Sequence, residues 1–399
     1  MIGFETPDTS TGRMSTTLIG DREYFRSVDG EWAELTRHDR QPSCFRTPAY
    51  FHAWASTEGR ELDLSLLVAR DGARLAGVMP LMRVKVWRGP SCAPRHDFIP
   101  ADRELLRHRG KRLFCLRQLS PAASIPAMYI APAPQCRTED RSEVIGCMAM
   151  ALKDLPGWDS FVVPVTPGET QELWLNALLA AGCRARVMPL GRYISGISNP
   201  RPFSQMVAEG SRNFRKNIRR AERAARKAGL TFDIHEGATR VAKHLPTIAE
   251  VAAQSWKAEG RKAADLDIPF AGRQAAFLRS LLAQPELDDT AKPVLAIAKH
   301  GDEPVAVLLS LQTGAGITAL LTFRTQAVAE ASPGLLLIGQ MLDWASELGL
   351  HSFDLNITQN WARHLCNTTV EQNYVVAYAP SLAGRMIAAM SSLTERLKG

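Results

Sequence analysis

Residues 316–356, GITALLTFRTQAVAEASPGLLLIGQMLDWASELGLHSFDLN, limit the possible folds more than any other stretch of the chain. Ile317, Thr318, Leu320, Leu321, Thr322 and Phe323 are mostly β-forming residue types close to a Gly pair, which predicts a strand. A polar turn over 324–330 leads to Ser332-Pro333-Gly334. Ser is a good N-cap, and Pro at the first helical position gives up only an N–H that the helix start would orphan anyway. The helix should run to 347 or 348, with Gly349 as its stop signal, and 351–356 then read as a second strand. Strand, helix and strand in that order pack as a right-handed crossover between parallel strands. The expected class is α/β with mixed sheets.

Backbone N–H groups and the positive dipole end converge at such a helix start, and Gly334 lets a ligand approach the backbone. A phosphate or pyrophosphate fits there, although Ser-Pro-Gly also opens purely structural helices. The net charge of +7 favours an anionic partner: a phosphorylated cofactor, an acidic glycan, a nucleic acid or a membrane surface.

At 399 residues the chain exceeds what one hydrophobic core serves, so two domains are expected. Seven scattered cysteines without a CxxC pair suit neither a disulfide framework nor a zinc site and point to a reducing cytoplasm. Residues 1–20 lack an apolar core and carry acids, so they read as a flexible leader, not a secretory signal. No run approaches the roughly 18 apolar residues of a membrane span, and no metal site is expected.

Residues 21–60 read as mostly helical and aromatic-rich, and 64–84 as a hairpin turning at Asp71-Gly72. The irregular segment 87–134 contains Arg95-His96-Asp97, but neighbours on a strand face opposite ways, which weakens any His–Asp pairing. Helices over 141–155 and 169–181, a strand over 161–165 and an extended run over 184–198 complete a first domain, 21–198. The second domain takes 199–399.

That second domain opens on the strongest charge feature of the chain, SRNFRKNIRRAERAARKA at 211–228, with eight basic residues and one acid, Glu222. Phe214, Ile218, Ala221 and Ala225 form one helical stripe and every other face is basic. Arg212, Arg215, Lys216 and Arg219 are its best anion-facing candidates, the alternative being a merely solvated cationic helix. A strand over 232–235, helices over 241–257 (carrying Trp256) and 271–283, and three strands from 293 follow. The segments 68–81 and 297–311 match in order and chemistry, which implies an internal duplication. The last helix, 382–397, has Leu382, Met386, Met390, Leu393 and Leu397 as an apolar stripe expected to dock on the body.

A duplicated mixed α/β unit of this kind resembles the GNAT superfamily of acyltransferases. More narrowly, it is similar to the double-GNAT group of FemAB-like aminoacyl transferases and CelD-like acetyltransferases linked to bacterial polysaccharide synthesis. The likeness is carried by 211–229, by the Ala-Lys-His-Gly-Asp-Glu-Pro-Val-Ala hairpin, by Ser332-Pro333-Gly334-Leu335-Leu336, and by Gly349 through Phe353-Asp354. In the first half Glu31-Trp32, 51–54 and the Asp71-Gly72 hairpin join it, so that it covers roughly 25–380. It implies two tandem GNAT-like domains, the C-terminal one carrying the donor site, with acyl-CoA, first of all acetyl-CoA, as co-substrate. Two departures stand out: the usual pyrophosphate loop is reduced to Arg324 and Gly334, and a Gly followed by Tyr-Lys after the Phe-Asp strand is replaced by LNITQNWARHLCN.

Acyl transfer to an amine needs a free lone pair, donors for the developing oxyanion and correct placement of both substrates. The donor is expected at Arg324, Ser332, Gly334 and Leu335. Asp354 is the candidate base or amine-orienting group, with a structural ion pair as its alternative; Asn356 faces the same side, and Tyr374 or Tyr378 is the candidate acid. The basic helix together with Trp256, Trp361 and Arg363 is expected to hold an anionic or sugar-linked acceptor. Three functions are carried: an acyl-CoA-dependent transferase, an aminoacyl-tRNA-dependent transferase with the basic helix tracking tRNA, and a non-catalytic nucleic-acid or anionic-surface binder.

Overall fold

The computed structural model describes residues 14–39, 43–57, 59–88, 114–122, 134–255, 272–355 and 364–396. In chain order its strands are β1 (Met14–Ile19), β2 (Asp63–Asp71), β3 (Arg74–Arg88), β4 (Phe114–Pro121), β5 (Gln135–Cys136), β6 (Ser160–Val165), β7 (Arg184–Ser198), β8 (Leu230–Glu236), β9 (Lys292–His300), β10 (Glu303–Thr313), β11 (Gly316–Arg324), β12 (Ser352–Asp354) and β13 (Thr368–Tyr378). The chain divides into two compact units, Met1–Arg192 with Glu371–Gly399, and Tyr193–Val370.

In the first unit the strands run in the order β1-β2-β3-β4-β6-β13, with β5 on β3. Met14–Ile19, expected as part of a flexible leader, is instead an antiparallel edge strand on β2, with Met14 only 5% exposed. The alternating β-branched run MSTTLI offers one apolar face, and pairing with β2 buries it. Helix Arg141–Asp154 connects β4 to β6, which are parallel, with Leu119 opposite Phe161. Helix Leu382–Arg396, assigned from sequence to the second domain, belongs to this unit. It packs through small residues: Gly384 is pressed against the Ala379 backbone, and Ala388 and Ser391 are 5% and 0% exposed. Of the apolar stripe proposed for docking, Leu382 and Met386 are 77% and 59% exposed, Met390 is half-buried, and the side chains of Leu393 and Leu397 lie outside the described residues.

The second unit repeats the plan as β8-β9-β10-β11-β12, with the end of β7 beside β12. Helix Pro333–Glu347 connects β11 to β12, again parallel, with Ile317 opposite Phe353. The two hairpins agree down to their irregularities. Each turns through two residues with the Gly at positive φ, Gly72 at 59° and Gly301 at 61°. Each also carries a one-residue bulge, at Ala76 and at Val305, two pairs beyond the turn. The same bulge at the same distance from the same turn is a shared structural feature that composition alone does not enforce.

The helix expected over 241–257 is broken into Ala238–Lys243 and Leu245–Ala253, because Pro246 cannot donate its share of a continuous ladder and starts a new helix instead. The basic helix spans Arg212–Lys227 and is N-capped by Ser211, whose Oγ accepts from the Phe214 N–H at 3.2 Å. Phe214, Ile218, Ala221 and Ala225 are all buried in the core shared with helix Pro333–Glu347. Five like-charge pairs at i,i+4 (212/216, 215/219, 216/220, 219/223, 223/227) cost roughly 1–2.5 kcal/mol in all. Burying Phe214 and Ile218 contributes about 3–6 kcal/mol, so the stripe outweighs the repulsion. Among the described residues no helix is long and apolar enough to cross a membrane.

Candidate functional site

Among the described residues strands β11 and β12 pair at 316/352, 317/353 and 318/354. Beyond Thr318 the ladder to β12 ends while β11 continues to Arg324 along β10, with an extra residue, Leu320, bulged between its pairs. A bulge bends the strand that carries it, and among the described residues the rung Thr318–Asp354 is the last between β11 and β12.

The helix that follows β11 starts differently from the expectation. Ser332 has φ 46°, ψ 54°, a left-handed conformation, and its side chain makes no capping hydrogen bond. The preceding 3-10 turn, Ala329–Ala331, delivers the chain at an angle that its backbone absorbs. The Ser332 carbonyl already accepts from the N–H groups of Leu335 at 2.9 Å and Leu336 at 3.2 Å, and Pro333 has none to give. Of the first helical residues this leaves the Gly334 N–H as the donor for a ligand. Arg324 does come to this point: a Cβ at Gly334 would lie 3.7 Å from its Cδ. The two residues that stand in for a phosphate loop in the sequence are therefore neighbours in space.

The basic helix packs against the same Ala329–Ala331 turn. Arg212, Lys216 and Arg219 are exposed, and among the described residues no carboxylate lies within 4.0 Å of them. Arg215 differs from the other three: its Nη1 donates to the carbonyls of Gly210 at 2.7 Å and Ala208 at 3.1 Å, closing the C-terminus of helix Phe203–Glu209. Phe214 stacks on His364, with ring centroids 5.4 Å apart.

Asp354 is partly exposed at the end of β12, opposite Thr318 on one side and Gly196 of β7 on the other. The end of β7 is held by Asn367, whose Oδ1 accepts from the Ser198 N–H at 2.7 Å and whose Nδ2 donates to the Ser198 carbonyl at 2.9 Å. Burial and the neighbouring Asp354 charge push the Cys366 thiol up to about 11. Tyr374 belongs to the first unit and is 1% exposed, packed with Val162, Val376, Tyr378 and Ala388; Tyr378 donates its hydroxyl to Ser391 Oγ at 3.0 Å. Asn356, Trp256, Trp361, Arg363 and the segment 95–97 lie outside the described residues. Among the described residues no group of three metal-ligating side chains gathers.

Sequence reasoning missed Gly196, Asn367 and Cys366. A Gly inside a β-run is the one available signal, since such a residue marks close approach or a space left open.

A parallel strand pair joined by a helix that starts beside a basic residue thus lies in the second unit of a two-unit α/β protein. Residues 212–361 match the family model described as Acetyltransferase (GNAT) domain. The stretch that matches a GNAT acyltransferase domain thus lies within a chain of two compact units. Solved structures share the fold across nearly the whole chain. FemX is 11% identical and matches with a TM-score of 0.57, covering 91% of this chain and 98% of its own. The C-terminal domain of a putative lysylphosphatidylglycerol synthetase from Agrobacterium fabrum is 12% identical, with a TM-score of 0.50 over 92% and 96%. A conserved protein of unknown function from Bacteroides thetaiotaomicron is 9% identical, with a TM-score of 0.51 over 88% and 97%. The comparison with curated proteins gives no match.

Proposed function

We propose that this protein moves an acyl group from acyl-CoA, acetyl-CoA in first place, to the amine or hydroxyl of a sugar-linked or small-molecule acceptor, a cell-envelope or polysaccharide precursor among them. The observation that carries this reading is the adjacency of Arg324 and the Gly334 helix start, on the helix that joins β11 to β12. A guanidinium and a backbone N–H on a helix dipole suit a pyrophosphate, and a glycine keeps the approach open. The donor supplies an activated thioester. Arg324, Ser332, Gly334 and Leu335 would hold its anionic end, and Asp354 at the last rung would orient the acceptor and take its proton. In balance, the acceptor nitrogen or oxygen forms the new bond to the acyl carbon, the carbon–sulfur bond breaks with its electron pair going to sulfur, and the acceptor's proton leaves through Asp354. Proximity and orientation are the main contribution asked of the fold.

Calorimetry with acetyl-CoA tests this directly. Binding by the wild type and its loss in Gly334→Glu are expected; wild-type affinity in that variant would remove the donor from this helix.

A second reading, an aminoacyl-tRNA donor, is supported by the exposed cations of helix Arg212–Lys227 beside the same turn. Salt separates the two. Binding through six or more phosphate contacts falls by about 10³–10⁵ between 50 and 200 mM salt, whereas a single CoA depends on salt far less.

A further inference from the structure

Helix Arg212–Lys227 carries more charge than one small substrate can use. Its exposed cations are Arg212, Lys216, Arg219, Arg220, Arg223, Arg226 and Lys227. At about 100° per residue these fall within an arc of about 120°, and the buried stripe of Phe214, Ile218, Ala221 and Ala225 occupies about 60° on the opposite side. The residues that break the pattern lie to the sides. Glu222 and the inward-bonded Arg215 flank one edge of the arc, and Asn213 and Asn217 flank the other. With one face fixed in the core, the cationic arc points directly away from it. Among the described residues no carboxylate lies within 4.0 Å of any cation of the arc.

The arc runs about 22 Å along the helix. A single pyrophosphate spans a fraction of that length, so the match is to an anion that repeats along a surface. Two features select a lipid surface over a nucleic acid. The arc holds no aromatic side chain on which an unpaired base could stack, and an RNA duplex has a major groove too deep and narrow to be read by side chains. A straight arc aimed away from the core also meets a plane of headgroups along its whole length, whereas a curved duplex touches it over only a part. The apolar stripe that an inserting helix would need is already buried, so the contact is electrostatic alone.

We propose that helix Arg212–Lys227 docks this protein on an anionic phospholipid surface, lying along the headgroup phosphates without inserting. Docking does not depend on the transfer chemistry. Where the proposed transfer holds, docking favours a lipid-linked acceptor, because the helix packs against the Ala329–Ala331 turn that leads into the donor helix.

Vesicle co-sedimentation of the full chain tests this. The protein should pellet with vesicles of phosphatidylglycerol and phosphatidylcholine in equal parts and stay in solution with pure phosphatidylcholine. High salt should release it, since exposed charges are screened beyond a Debye length of about 8 Å at physiological ionic strength. Replacing Arg220, Arg223 and Lys227 together by Gln should weaken binding by about 100-fold, at roughly fivefold per cation. Replacing Arg240, Lys243 and Arg279 by Gln removes the same charge from other helices and should leave binding near the wild-type value. Acetyl-CoA affinity should be unchanged in both triple variants, so failure of docking and failure of the donor reading are seen separately. Equal pelleting with the two vesicle types, equal loss in the two triple variants, or binding that survives high salt overturns docking; the first of these needs only the wild type. Salt-sensitive binding of bulk tRNA with no pelleting on the phosphatidylglycerol vesicles overturns it as well and assigns the arc to RNA.

Discussion

Arg215 reaches back from the basic helix to the carbonyl oxygen of Gly210 at 2.7 Å, so one of the four cations grouped together by sequence is already engaged with the protein itself. A guanidinium bonded to helix-end carbonyls completes acceptors that the helix cannot satisfy and meets its negative dipole end. Arg215→Gln should lower stability by about 1 kcal/mol, read as a drop of a few degrees in Tm. Arg212→Gln and Arg219→Gln should leave Tm unchanged. Equal effects of all three would mean that the Gly210 contact contributes nothing.

The exposed cations separate a binding surface from a solvated one. Replacing Arg212, Lys216 and Arg219 together by Gln removes three charges at nearly constant helix propensity, and the buried stripe keeps the helix in place. If the face captures an anionic substrate, kcat/KM should fall and lose its salt dependence, mainly through KM. Wild-type rates at every ionic strength would leave the face as a solvated one.

Gly334 permits a graded test of the donor site. Its nearest obstacle is Arg324 Cδ at 3.7 Å, an ordinary contact, so Gly334→Ala should fold and bind acetyl-CoA within a few-fold of wild type. Gly334→Glu places a carboxylate beside Arg324, where it would occupy the guanidinium and repel a phosphate. Gly334→Gln fills the same space as glutamate without its charge, so comparing the two separates loss of space from loss of charge complementarity.

The rings of His235 and His244 lie with centroids 4.0 Å apart and planes tilted by 36°, beside the Asp233–Lys299 ion pair. Burial, then His235, then Lys299 hold His244 below its ordinary value of 6.5. In the window between that lowered folded value and the unfolded one, the unfolded chain binds more protons, so stability rises with pH there. The contribution is fully present above about pH 6.5 and is lost as pH falls through the folded value. His244→Gln should flatten this part of a denaturation-versus-pH curve, and an unchanged slope would assign it to other groups.

Cys366 reports on Asp354. Its thiol is pushed up to about 11 by burial and by the Asp354 charge, so at pH 8 it should alkylate slowly. Asp354→Asn removes the charge that opposes the thiolate and should speed iodoacetamide labelling at Cys366, as mapped by mass spectrometry. An unaltered rate would mean that the two groups do not sense each other.

Local sequence determined the strand, helix and strand around Ser332-Pro333-Gly334, the buried stripe of the basic helix, and the hairpins at Gly72 and Gly301. Each is settled within a few residues, by apolar periodicity or by a positive φ that glycine adopts freely. The same local reading misplaced the last helix, because Leu382 and Met386 look like a docking face until Gly384, Ala388 and Ser391 are seen to allow the closer approach. Nor could it tell that Arg215 serves Gly210 and Ala208, or that the Ser332 carbonyl uses up the Leu335 and Leu336 N–H groups. Such outcomes depend on where a neighbouring turn ends, which no periodicity encodes. Gly196 is the clearest case: its distance in sequence from Asp354 is 158 residues, and only the pairing of β7 with β12 sets the two opposite each other, because strand pairing is decided by the sheet and not by either segment alone.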